Sequence, residues 1–213
     1  NAIIIENCDY NDVGSVLTGD SLSSTVGILA DDTNSDLTLN GTEVSGYATG
    51  VSKENGVLFM IGDAEIAGTD YGVYAEDTYV YALVAHVDGG ATGTGLHVVD
   101  SPDAWVYPMD ASGAIGMYVE NTPFRWDGGV SDATTALSVV DATGTVENLT
   151  WSASTTQMNA GNNAHITSIG NTLDASKLVV ASSAVIDEAN LMSIDSTHLG
   201  AAPSSEVALL LTS

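Results

Sequence analysis

The chain has 213 residues, 44% of them hydrophobic, and carries 28 acidic side chains against three basic ones, for a formal net charge of −25. That balance disfavours nucleic acid and anionic membranes as partners, because phosphate binding needs clustered Lys and Arg, and it disfavours polyanionic polymers for the same reason. The one cysteine, Cys8, allows no internal disulfide, and no apolar stretch approaches the ~18 residues of a membrane span, so no membrane insertion is expected.

The chain opens in mid-pattern on Ile3-Ile4-Ile5-Glu6-Asn7, with neither Met nor signal peptide. A mature chain or a segment of a longer protein is expected. A glycine followed by an apolar residue then recurs: Gly27-Ile28, Gly50-Val51, Gly72-Val73, Gly95-Leu96 and Gly116-Met117, at spacings of 23, 22, 23 and 21 residues, with Ala136-Leu137 coming 20 later. Such a period marks a stacked repeat. Two residues after each apolar position comes a small or apolar one (Ala30, Ala75, Val98, Val119, Val139), and only Lys53 breaks that column. The residue between varies. This period-2 alternation predicts a half-buried strand in every repeat.

Acids or amides follow each strand: Glu6-Asn7, Asp31-Asp32, Glu54-Asn55, Glu76-Asp77, Asp100, Glu120-Asn121 and Asp141. Their side chains favour turns. A second short run comes next, as in Leu37-Thr38-Leu39, Val57-Leu58-Phe59, Tyr79-Val80-Tyr81, Trp105-Val106-Tyr107 and Phe124-Arg125-Trp126. A weaker third run includes Thr42-Glu43-Val44, Ala64-Glu65-Ile66 and Ala85-His86-Val87. Two or three strands per coil without helices predict an all-β, single-stranded parallel β-helix of about nine coils of 20–23 residues. One domain is expected over 1–213, with 201–213 leaving the register as a cap or irregular end.

Segments such as Gly116-Met117-Tyr118-Val119-Glu120-Asn121 and Ile3-Ile4-Ile5-Glu6-Asn7-Cys8 resemble right-handed parallel β-helix repeats of the pectate-lyase-like superfamily, over roughly residues 2–195. The resemblance implies architecture and not activity. Lyases with this fold use basic residues near calcium, and here Lys53, Arg125 and Lys177 form no evident convergent pair.

Stacking the coils places Tyr74, His97 and Tyr118 in one outward row, with Glu76, Asp77, Asp100 and Glu120 beside them at the turn. Aromatics next to carboxylates suit sugars, so these seven are the candidate ligand face; cross-strand packing is the plainer account. The aromatics of the second run (Tyr79, Tyr81, Trp105, Tyr107, Phe124, Trp126) pair at i, i+2 and so point the same way within each pair. Leu37 and Leu39 in their column argue for the core; Leu58, Val80 and Val106 argue for the reverse. The expectation leans to the core, where large apolar side chains usually lie.

The turn acids repel one another across coils unless salt or a cation intervenes. Asp32, Asn34 and Asp36 show a D-x-N-x-D spacing with Glu43 at the twelfth position. That resembles an EF-hand loop, although Leu37 stands where the loop needs Gly. Calcium is thus the one ion considered, and no other cofactor is expected. No catalytic residue is assigned: carboxylate pairs at glycosidase spacing recur in many coils, the histidines show no zinc-ligand spacing, and Cys8 reads as a buried small hydrophobe. The expectation is an acidic, salt-tolerant, non-catalytic module, extracellular or on the cell surface, structural or adhesive, with end-to-end assembly as one form of contact. The alternative is a carbohydrate-binding or polysaccharide-processing protein, with a polysaccharide or surface glycan as partner.

Overall fold

The computed structural model describes residues 2–32, 35–152 and 155–189, with the backbone path alone for 21–24. The expected end at 201–213 lies outside these residues. The chain is a parallel β-solenoid of about eight turns, close to the nine expected. Each turn has up to three strands, and each strand pairs with its counterpart one turn away. On the first face the register runs Ile28, Val51, Val73, Leu96, Met117, Leu137, Met158, Leu178. On the second it runs Leu37, Leu58, Val80, Ala104, Phe124, Gly144, Ile166, Ile186. The third runs Val44, Ile66, Val87, Ala111, Ser131, Trp151. Some strands turn the corners unbroken: Val57–Glu76 passes through all three faces.

The repeated glycines answer a steric demand. A Cβ on Gly72 would lie 2.7 Å from the carbonyl oxygen of Gly95, and one on Gly95 would lie 2.7 Å from that of Gly116. The apolar residue after each glycine points inward, and Ile28, Val51, Val73, Leu96, Met117 and Leu137 are all fully buried. The acid or amide after the strand has a backbone reason. Asn7, Asn55, Asp77, Asp100, Asn121 and Asp141 all adopt left-handed conformations, with φ between 49° and 61°. Asn and Asp tolerate that region better than other side chains. Turned so, Asp100 donates its N–H to Glu120 O at 3.0 Å, and Asn55 donates to Glu76 O at 2.9 Å.

Behind this turn runs a buried ladder of hydroxyls. Thr78 N–H donates to Ser101 Oγ at 3.1 Å, and Ser101 N–H donates to Thr122 Oγ1 at 2.9 Å. One coil earlier the equivalent residue is Gly56, and an ammonium takes over. Lys53 points inward, is fully buried, and donates from Nζ to the carbonyls of Glu54 (2.9 Å) and Asn55. The break in the inward column is therefore a tethered cation that satisfies turn carbonyls, as buried polar groups require.

Two expectations are corrected. The second-face aromatics do not share one orientation. Phe124 and Trp126 are in the core, but Tyr79, Tyr81, Trp105 and Tyr107 point outward while Val80, Ala82, Ala104 and Val106 fill the interior. The larger core side chains are matched by small neighbours: a Cβ on Gly144 would lie 2.2 Å from the Phe124 ring. Cys8 is exposed and not buried, because it follows the left-handed Asn7 at the turn, outside the inward columns.

Candidate functional site

The first face carries the row expected from the repeat. Tyr74, His97 and Tyr118 are register partners, and their rings stack. The Tyr74–His97 centroids are 5.3 Å apart at 19° between planes, and the His97–Tyr118 centroids are 4.5 Å apart at 12°. Tyr71 adds edge contacts to Tyr74 at 5.5 Å and to His97 at 5.0 Å. It escaped the sequence reading because it precedes the glycine that marks the strand, in a column otherwise held by Thr94, Ile115 and Thr135.

The tyrosine hydroxyls are committed. Tyr74 donates to Glu76 Oε2 at 2.6 Å, and Tyr118 donates to Glu120 Oε2 at 2.7 Å. Burial and then this bond push the Tyr118 phenol up to about 12. The Tyr74 phenol is raised too, first by its bond to Glu76 and then by burial. Burial lowers the His97 pKa against the opposing pull of Glu120 and Glu76. Its Nδ1 is buried without a hydrogen-bond partner among the described residues. Asp77 and Asp100 lie at the left-handed turn, where Asp100 Oδ1 accepts the Asn121 side-chain amide at 2.8 Å. The seven predicted residues thus come together, with both faces of His97 and one face of each tyrosine spent on the stack and all three rings half-buried.

The third face has a groove of about 540 Å³ lined in part by Glu43, Glu65, His86, Asp88, Asp110 and Asp132. Glu43, Glu65, His86 and Asp110 are successive register partners, and His86 Nδ1 lies 3.3 Å from Asp110 Oδ2. Several of these carboxylates brace the fold. Asp110 Oδ1 accepts the Val130 N–H at 2.8 Å; Asp88 Oδ1 accepts the Gly90 N–H at 2.9 Å and the Ser112 hydroxyl at 2.7 Å.

The second face differs from both. Phe59, Tyr81, Trp105 and Arg125 form one outward column across four coils, flanked by Tyr79, Leu83 and Tyr107. Tyr79 is 44% exposed, Trp105 43% and Tyr107 50%. Phe59 and Tyr81 stack at 5.1 Å and 17°. Among the described residues no ring covers Tyr79, Trp105 or Tyr107, and the hydroxyls of Tyr79, Tyr81 and Tyr107 make no hydrogen bond. Arg125 closes the strip at one end, paired with Asp127 at 3.2 Å and Glu147 at 3.3 Å. The central column Phe59, Tyr81 and Trp105 holds no acid, while acids stand at the strip's edges: Asp103 lies one coil on from Tyr79 and Asp127 one coil on from Tyr107.

No protein-family model matches the chain, and no curated protein or solved structure is similar enough to count as a match.

The residues considered for calcium serve the turns. Asp32 Oδ2 accepts the Asn7 N–H at 3.1 Å, and Asp36 Oδ1 accepts the Val57 N–H at 3.1 Å; Asn34 lies outside the described residues. Among the described residues no group of three or more His, Cys, Asp or Glu side chains is arranged to hold a metal ion. No helix there is long and apolar enough to cross a membrane.

Proposed function

We propose that the chain is a non-catalytic contact module, structural or adhesive, of an extracellular or cell-surface protein, and that it makes contact through the aromatic strip of its second face. The strip carries this reading. Large apolar side chains left uncovered in a contiguous patch mark interaction surfaces, and this patch lies on a rigid flat wall whose other outward positions are largely polar. The acidity of the remaining surface keeps such a module soluble and salt-tolerant. The repeat pattern's resemblance to pectate-lyase-like β-helices is compatible with an export role and assigns no activity.

The test is retention of protein-coated beads on a panel of insoluble biological surfaces, with wild type compared with Trp105→Ser. Strip-dependent retention on at least one surface is expected. Equal behaviour of the two proteins on every surface would overturn the reading.

The third-face groove favours a second reading, polysaccharide processing, because Glu65 and Asp110 flank His86 at coil spacing, within reach of the carboxylate separations glycosidases use. Turnover of a neutral polysaccharide that is abolished by Glu65→Gln or Asp110→Asn would establish it. No turnover by the wild type would remove it.

A further inference from the structure

We infer that the second-face strip binds a neutral polysaccharide, laid flat across Phe59, Tyr79, Tyr81, Trp105 and Tyr107 with Arg125 and its carboxylate partners as a polar margin. This rests on the contact role proposed for the same face and names its partner. Three properties of the strip select that chemistry.

The first is charge. The chain carries −25, so a polyanionic polymer or an anionic bilayer would approach against the field of the whole molecule. Arg125, the cation bordering the strip, is already shared between Asp127 and Glu147. A second copy would meet the same repulsion.

The second is size. Phe59 at 36%, Trp105 at 43%, Tyr79 at 44% and Tyr107 at 50% exposure, with Tyr81 and Leu83 between them, present on the order of 400 Å² of apolar surface, taking ~150–250 Å² for a whole aromatic side chain. A stable protein dimer buries about 800 Å² per partner. The strip is half that, which suits a chain ligand one sugar wide.

The third is the mixture of groups. Trp105, Tyr79 and Tyr107 offer ring surface that no other ring covers, and the hydroxyls of Tyr79, Tyr81 and Tyr107 have no partner among the described residues. A pyranose pairs an apolar C–H face with a rim of hydroxyls, and so needs both features side by side. An acyl chain would leave the phenols unused. The rings are also held on a sheet with ~4.8 Å between coils, so little ordering entropy is lost on binding. The Tyr74–His97–Tyr118 row is less suited, because its rings are half-buried with His97 stacked on both faces, and its tyrosine hydroxyls are bonded to Glu76 and Glu120.

The experiment is pull-down on insoluble neutral polymers (cellulose, chitin, mannan, xylan), with alginate and zwitterionic phosphatidylcholine vesicles as further probes. The proteins are wild type, Trp105→Ala, Trp105→Phe, and Tyr118→Phe as a control on the first face. Retention on at least one neutral polymer is expected. It should be weaker by about tenfold in Trp105→Ala, largely kept in Trp105→Phe and Tyr118→Phe, and little changed by salt. Trp105 is outward, so matching thermal midpoints will show that the variants fold. Retention on no neutral polymer, retention indifferent to Trp105→Ala, binding confined to vesicles, or strip-dependent self-association in place of polymer binding would each overturn the inference. If beads still adhere through the strip while no neutral polymer binds, the contact role stands and the sugar assignment falls. If neither is seen, both fall.

Discussion

His97 lies flat on Tyr118, with ring centroids 4.5 Å apart and planes 12° from parallel. Burial in this stack lowers the histidine's pKa even though Glu120 and Glu76 pull it upward. The folded protein therefore prefers the neutral ring, and the unfolded chain binds the proton more readily.

The sign follows from linkage. The contribution of His97 is fully present above the unfolded value, ~6.5, and is lost as pH falls below it through the depressed folded value. His97→Phe keeps a ring in the stack and removes the titration. Melting curves from pH 7.5 to 5 should show the wild type losing stability relative to His97→Phe. Parallel curves would show that the imidazole is not desolvated by its neighbours.

Lys53 gives a second pH signature at the other end of the scale. Burial lowers its pKa, opposed by Asp36, Asp32, Asp31 and Glu54. The folded state thus releases the proton before the unfolded chain does, and the lysine's contribution rises as pH climbs toward ~10.4. Lys53→Met should lack that rise between pH 8 and 10.5. A variant that tracks the wild type over this window would place the ammonium in water.

The glycine column predicts a contrast between two alanine substitutions. In Gly72→Ala the new methyl would meet the carbonyl oxygens of Gly95 at 2.7 Å and Asp88 at 2.9 Å, both backbone and neither free to rotate away. The cost should be about 1–3 kcal/mol. In Gly161→Ala the nearest atoms are at 3.5 and 3.6 Å, and the change should be neutral or stabilising by ~0.4–1 kcal/mol through the unfolded state. Thermal midpoints of the pair test this, and equal losses would contradict it.

Phe124 and Gly144 should behave as one unit. Gly144→Ala drives a methyl into the Phe124 ring and should destabilise. In a Phe124→Leu background the same change should cost less, giving a coupling of about 1 kcal/mol or more in a double-mutant cycle. Additive losses would mean that the ring moves aside freely.

The two orientations of second-face aromatics can be read by fluorescence. Trp105 is largely exposed and Trp126 fully buried. The third tryptophan, Trp151, is partly buried, so the measurement uses a Trp151→Phe background, in which acrylamide should quench a red-shifted component that disappears on adding Trp105→Phe, leaving a blue, protected signal. A quenchable component that survives the substitution would reverse the assignment.

The comparison of sequence with structure turns on how many side chains speak for each position. The first face was legible because Gly95, Leu96 and Val98 repeat in neighbouring coils and each answers a separate constraint: close backbone approach, core filling and alternation. The row Tyr74, His97 and Tyr118 followed directly. The second face was not legible, because both sides of its strands are apolar. Tyr79-Val80-Tyr81 reads equally well in either phase, and Phe124-Arg125-Trp126 adopts the opposite phase to Trp105-Val106-Tyr107. What decides is volume. Val80, Ala82, Ala104 and Val106 fit the interior left by Leu37, Leu39, Leu58 and Met60, whereas Phe124 needs the space conceded by Ala104 and Gly144 on either side of it. The turn acids were read as a charge ladder, but Asn55, Asp77, Asp100 and Asn121 are there for left-handed backbone as much as for charge.

The central column of the strip takes one side chain from each coil, and it continues through Thr38 before Phe59 and through Arg125 and Thr145 after Trp105. None of these positions fills the interior. The reach of the surface can therefore lengthen or shorten in single substitutions, in steps of one coil, while the wall behind it is left unaltered. A repeat built this way separates the evolution of what it touches from the evolution of how it folds.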